Sequence, residues 1–127
     1  FMTRSNFDRY RIKTKAWSEI STFHYILKRD LAKAITVVNY NDNLVCENDL
    51  SVMVEYNFMG GYVLRILPQR TDTFKISTTN LNFEKLEGSD YVMEIEFQTS
   101  VNNKELLFYQ PKWYAADVLM RIEKNGN

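Results

Sequence analysis

At 127 residues the chain can bury one sizeable hydrophobic core but not two. Its 45% hydrophobic and 25% charged residues exclude a disordered chain, and no run approaches the ~20 apolar residues of a membrane-crossing helix. The formal net charge is zero, and a single cysteine, Cys46, excludes an internal disulfide framework, so a reducing, cytoplasmic setting is the expectation.

That zero is unevenly laid out. Residues 1–33 carry eight basic groups against three acidic ones, a net of +5, whereas residues 34–99 carry four against ten, a net of −6. Such a dipolar layout bears on partners and association rather than on fold.

Residues 1–15 show no apolar period and begin with Phe1-Met2-Thr3-Arg4, basic and polar rather than signal-like. They read as an extended basic arm with Arg4, Arg9, Arg11, Lys13 and Lys15, interrupted by Phe7, Tyr10 and Ile12. From residue 16 apolar positions recur every three or four residues at Trp17, Ile20, Phe23, Leu27, Leu31, Ala34 and Val38. This is the signature of one buried helical face, so a helix is expected over 16–39. Its last turn competes with a strand, because Ile35-Thr36-Val37-Val38 is β-branched. Asn41-Asp42-Asn43 supplies a turn.

A hairpin is expected over 48–69. Val52, Val54, Tyr56 and Phe58 alternate with polar or mixed positions, Met59-Gly60-Gly61 reverses the chain, and Tyr62, Leu64 and Ile66 return opposite Val63, Arg65 and Leu67. A third strand is placed at 73–79. Leu81, Phe83 and Leu86 fall in an irregular connection or short helical turn. A second hairpin alternates Tyr91, Met93, Ile95 and Phe97 with Val92, Glu94, Glu96 and Gln98, turns at Asn102-Asn103 and returns over 105–110. Pro111 then opens a helix over 112–124, with Ala115, Val118, Leu119 and Ile122 inward. Residues 125–127 read as a frayed tail. The expected fold is α+β, a single domain over 16–124 with a long N-terminal amphipathic helix on a curved antiparallel meander of about five strands. In element order this resembles the cystatin-like and nuclear-transport-factor-like groups, and no motif transfers a functional residue on that basis.

Chemistry has few residues to work with. His24 is the only histidine, and Cys46 lacks both a Gly-rich elbow and a neighbouring base, so a buried structural thiol is the expectation. One Cys and one His cannot fill a tetrahedral zinc shell, and no metal or other cofactor is expected. Glu94 and Glu96 lie on one strand face about 7 Å apart, which is the spacing of an ordinary solvated face. Gly60-Gly61 lies between strands, not at the start of a helix, and no phosphate-binding motif occurs.

These readings favour a non-catalytic binding protein acting through protein–protein contacts, of the accessory or inhibitor kind found in phages and mobile elements, self-association included. The alternative is a nucleic-acid-binding module: Arg4, Arg9, Arg11, Lys13 and Lys15 neutralise phosphates, Tyr10 stacks on a base, and Lys28, Arg29 and Lys33 extend the track along the helix. A small enzyme of unknown reaction comes third.

Overall fold

The computed structural model describes residues 4–49 and 51–125; of 4–14, 16 and 123–125 it describes only the helical backbone. The order is α1 (Arg4–Lys33), β1 (Thr36–Tyr40), β2 (Asn43–Glu47), β3 (Val52–Phe58), β4 (Val63–Ile66), β5 (Thr71–Phe74), β6 (Thr79–Lys85), β7 (Val92–Val101), β8 (Lys104–Pro111) and α2 (Ala116–Asn125). The class is α+β, with a helix followed by antiparallel meanders. The strands form a five-stranded sheet, β1-β2-β3-β4-β5, and a three-stranded sheet, β6-β7-β8. Among the described residues no helix is long and apolar enough to cross a membrane.

The long helix is shifted toward the N-terminus from its expected span. Residues 4–15, read as an extended arm, have helical backbone, in keeping with a stretch that contains neither Gly nor Pro. At the other end the β-branched run wins for the strand. The helix stops at Lys33, and β1 pairs with β2 from Thr36↔Glu47 to Tyr40↔Asn43. Asn41 takes the turn at φ 58°, and Asn39 Nδ2 donates to the Asn41 and Asn43 carbonyls at 2.7 and 2.9 Å. Val38 therefore belongs to a strand rather than to the helical stripe.

The stripe itself buries Phe23, Leu27, Leu31 and Ala34, with Ile20 and Ile26 partly buried. Trp17, expected inside, is half exposed. Phe23 sits at the centre of the molecule. Its ring lies 6.0 Å from Tyr56 and 5.2 Å from Phe74 of the larger sheet, and 6.2 Å from Phe97 and 5.5 Å from Phe108 of the smaller one. Both sheets thus share one core, joined through this helical ring and through Phe58 of β3, which lies 5.7 Å from Phe83 and 6.2 Å from Phe97. Burial of such a ring stabilises by ~1.5–3 kcal/mol.

Two hairpins form where expected and follow the alternation read from the sequence along their middles. Near the register shifts Val52, expected inside, is half exposed, and Val92, expected outside, is fully buried. Val54, Tyr56 and Phe58 face inward on β3, and Gly60 takes φ 92° in the reversal. On β4, however, the inner face carries Val63 and Arg65, while Leu64 and Ile66 are outside and only partly covered. The register Tyr56↔Arg65 and Phe58↔Val63 imposes this choice. In the second hairpin Asn102 and Asn103 have φ 53° and 65°, a two-residue turn of the primed type, and β7 pairs with β8 without a break from Glu94↔Pro111 to Val101↔Lys104.

Three spans differ from expectation. The third strand is Thr71–Phe74 instead of 73–79, and residues 75–78 pass between the sheets, with Thr78 N–H donating to the Gly60 carbonyl at 2.8 Å. Residues 79–85 form strand β6, irregular in register at Thr79/Asn82 and Glu84/Lys85, not a loop or helical turn. The C-terminal helix starts at Ala116 rather than Lys112, because Lys112 and Tyr114 are drawn inward. The Tyr114 hydroxyl donates to the Val92 carbonyl at 2.8 Å, with the Val37 carbonyl 3.1 Å away. Val118 and Ile122 are buried as expected, Leu119 is partly buried and Ala115 is exposed.

Candidate functional site

The interior between α1 and the five-stranded sheet holds a cluster of ionisable side chains. Asp30 enters it from the buried stripe of α1 and Arg65 from the inner face of β4, each about 95% buried. They form a two-pronged pair: Arg65 Nε lies 2.7 Å from Asp30 Oδ2, and Nη2 lies 3.0 Å from Oδ1. Arg65 Nη1 continues to Asp72 Oδ2 at 3.0 Å, and the Tyr56 hydroxyl donates to Asp30 Oδ2. The carboxylate thus receives two fork bonds and a phenol, as a charge taken out of water requires. Burial, then the bond to Asp30, drives the Tyr56 hydroxyl far above its ordinary pKa, and the bond to Asp30 raises that of Arg65. Neither is poised to move a proton near neutral pH.

Lys112 is the second interior cation. Its Nζ donates to the carbonyls of Leu31 (2.7 Å) and Ala34 (2.6 Å), the unpaired acceptors at the end of α1. Burial lowers its pKa. Cys46 is fully buried between β1 and β3, and burial pushes its thiol up to about 12, so it stays protonated and inert.

His24 and Cys46 have separate surroundings. His24 Nε2 lies 2.9 Å from Gln110 Oε1, and the ring stands edge-on to Phe108, with centroids 4.9 Å apart. Glu94 and Glu96 point away from the core: Glu94 accepts from the Tyr109 hydroxyl at 2.9 Å, and Glu96 is exposed. Among the described residues no three His, Cys, Asp or Glu side chains are grouped to hold a metal ion. One groove of about 130 Å³ lies where α2 meets the start of β1, lined by Thr36, Asp49, Tyr91 and Arg121 among others. It has room for a few waters (each ~30 Å³) and falls short of the ~300 Å³ at which small-molecule sites begin.

The sequence-selected basic residues divide in two. The side chains of Arg4, Arg9, Tyr10, Arg11 and Lys13 lie outside the described residues. Lys15, Lys28, Arg29 and Lys33 are exposed on α1, and the Arg29 guanidinium sits 5.9 Å over the ring of exposed Tyr25. None of these four cations is ion-paired within the described chain. Exposed Tyr25 lies beside Arg29, so the last turns of α1 present an aromatic ring and cations together, while half-exposed Trp17 lies at the edge of the buried stripe. Tyr25, which the sequence reading passed over, had a local signal: it lies four residues before Arg29 on a helix.

No protein-family model matches the chain, and no curated protein or solved structure shows a significant match to it.

Proposed function

We propose that this chain is a non-catalytic binding protein that acts through protein–protein contacts, with the outward face of α1 as its contact surface. One observation carries the reading. Tyr25, Lys28, Arg29 and Lys33 are exposed along the last turns of α1, the Arg29 guanidinium 5.9 Å over the Tyr25 ring, and the three cations have no ion pair inside the described chain. Aromatic rings and arginine are the groups that dominate protein interfaces, because they bury much area at little entropic cost. The interior ionisable groups, by contrast, are engaged in holding the fold.

The test is crosslinking of the full chain with a photoreactive group at Tyr25, in extracts of its source. A discrete protein adduct that disappears in the triple variant K28E/R29E/K33E supports the proposal. An adduct pattern unchanged by the charge reversal, or no protein adduct at all, contradicts it.

The same cations and Tyr25 suit a second reading, in which the helix tracks phosphates and stacks a base. It is separated by titration with a single-stranded oligonucleotide. Binding that weakens steeply with salt and is lost in the triple variant favours nucleic acid over a protein partner.

A further inference from the structure

The two sheets have four edges, and three are blunted. The β1 edge is covered: Val38 bridges Tyr91, Asn39 N–H donates to the Asp90 carbonyl at 3.0 Å, and the Tyr114 hydroxyl bonds the Val37 backbone. The β5 edge is four residues long, with Asp72 inside it and Arg70 and Lys75 flanking it. The β6 edge is interrupted twice in register, and Asn80 there has φ 54°. Short strands, charges and bulges are the usual devices against edge-to-edge pairing.

The β8 edge has none of these along its centre. It runs eight residues in unbroken register with β7, and Leu106-Leu107-Phe108 is uncharged. Which backbone groups it leaves free follows from the turn. Val101 and Lys104 close the two-residue loop and form a hydrogen-bonded pair, so Leu106, Phe108 and Gln110 also bond back to β7. Glu105, Leu107 and Tyr109 therefore direct their N–H and C=O groups away from the sheet. Among the described residues no other backbone element bonds to them. Their side chains are all exposed, Leu107 at 64% and Tyr109 at 46%.

We propose that β8 is a self-association edge: two copies pair β8 with β8, antiparallel, about a two-fold axis through Leu107, giving one six-stranded sheet. Free groups must face free groups, which leaves two central registers. Setting Leu107 against Tyr109 of the second copy puts Pro111, which has no N–H, opposite Glu105, and Lys104 opposite Lys112. Setting Leu107 against Leu107 avoids both. Glu105 then faces Tyr109, Lys104 faces Gln110, and Leu106 faces Phe108. No like charges meet across the seam, and each of the pairs Leu107–Leu107 and Glu105–Tyr109 exchanges two backbone hydrogen bonds. The contact is isologous and closes at two copies. The copies carry no net charge to repel one another. This surface is separate from the outward face of α1, so either assignment can fail without the other.

The test is sedimentation velocity of the full chain up to about 100 µM, a concentration at which roughly nine-tenths of the chains of a micromolar dimer are paired. The expected result is a monomer–dimer equilibrium, weakened at least roughly tenfold by L107K, a change at an exposed position that leaves the circular dichroism spectrum intact. Under mild oxidation L107C is expected to give a disulfide-linked dimer, because hydrogen-bonded antiparallel partners have Cα atoms about 5.5 Å apart, within disulfide range. N82C, on β6 at the other edge of the sheet, is expected to stay uncrosslinked. A chain that remains monomeric, or a dimer indifferent to L107K and crosslinked no better by L107C than by N82C, overturns the proposal.

Discussion

The two sheets share one helix and one aromatic core, yet they deal with polar groups in opposite ways. The five-stranded sheet turns charge inward: Arg65 and Tyr56 lock onto Asp30 of α1, and its edges are either covered or short and charged. The three-stranded sheet turns its acids outward, with Glu84 directly opposite Glu94 and Glu96 beside Tyr109, and it leaves β8 open. Buried ionic contacts serve one geometry and fail when a partner is lost, whereas an open edge keeps hydrogen-bonding capacity for another chain. The difference teaches that buried charge in this molecule is structural, whereas Lys28, Arg29 and Lys33 on the outside of α1 have no ion pair among the described residues.

The largest expected effect breaks the buried half. Arg65→Met leaves the Asp30 carboxylate without its fork and should cost about 3–5 kcal/mol, read as a lower urea midpoint. The double change Asp30→Leu with Arg65→Met removes both charges and should recover most of that loss. A double variant no more stable than Arg65→Met alone would show that the pair does more than neutralise itself. Next comes Lys112→Met, which keeps the aliphatic stem and removes the ammonium from the Leu31 and Ala34 carbonyls. A loss of about 1–3 kcal/mol is expected, with hydrogen exchange accelerated in the last turn of α1. The smallest effect is on the exposed side: K28E/R29E/K33E should change stability by within about 0.5 kcal/mol while altering partner binding. A larger loss would move these cations to the structural side of the comparison.

The core of the larger sheet was partly legible in the sequence. Phe23, Leu27 and Leu31 declare their helical face by spacing, and Val54, Tyr56 and Phe58 declare a strand face by alternation. Asn102-Asn103 announces a turn because asparagine tolerates positive φ. The rest depends on contacts distant along the chain. Arg65 shares the inner face with Val63 only because Asp30, 35 residues earlier, is there to pair with it. Lys112 ends a helix 78 residues before it, which no local pattern records. Trp17 fits the helical period, yet nothing packs over it fully, so periodicity alone overstates the buried stripe. The helix end at Lys33 was the least local decision of all: a β-branched run can extend either element, and the β2 partner strand decides it.

The sharpest test of an open half against a closed one is amide hydrogen exchange along β8 at low and high protein concentration. The N–H groups of Leu106, Phe108 and Gln110, bonded to β7, should be protected at both. Those of Glu105, Leu107 and Tyr109 should exchange fast in dilute solution and become protected as concentration rises. Exchange at these three amides that is slow throughout, or fast at every concentration, would contradict an edge held open for a second chain.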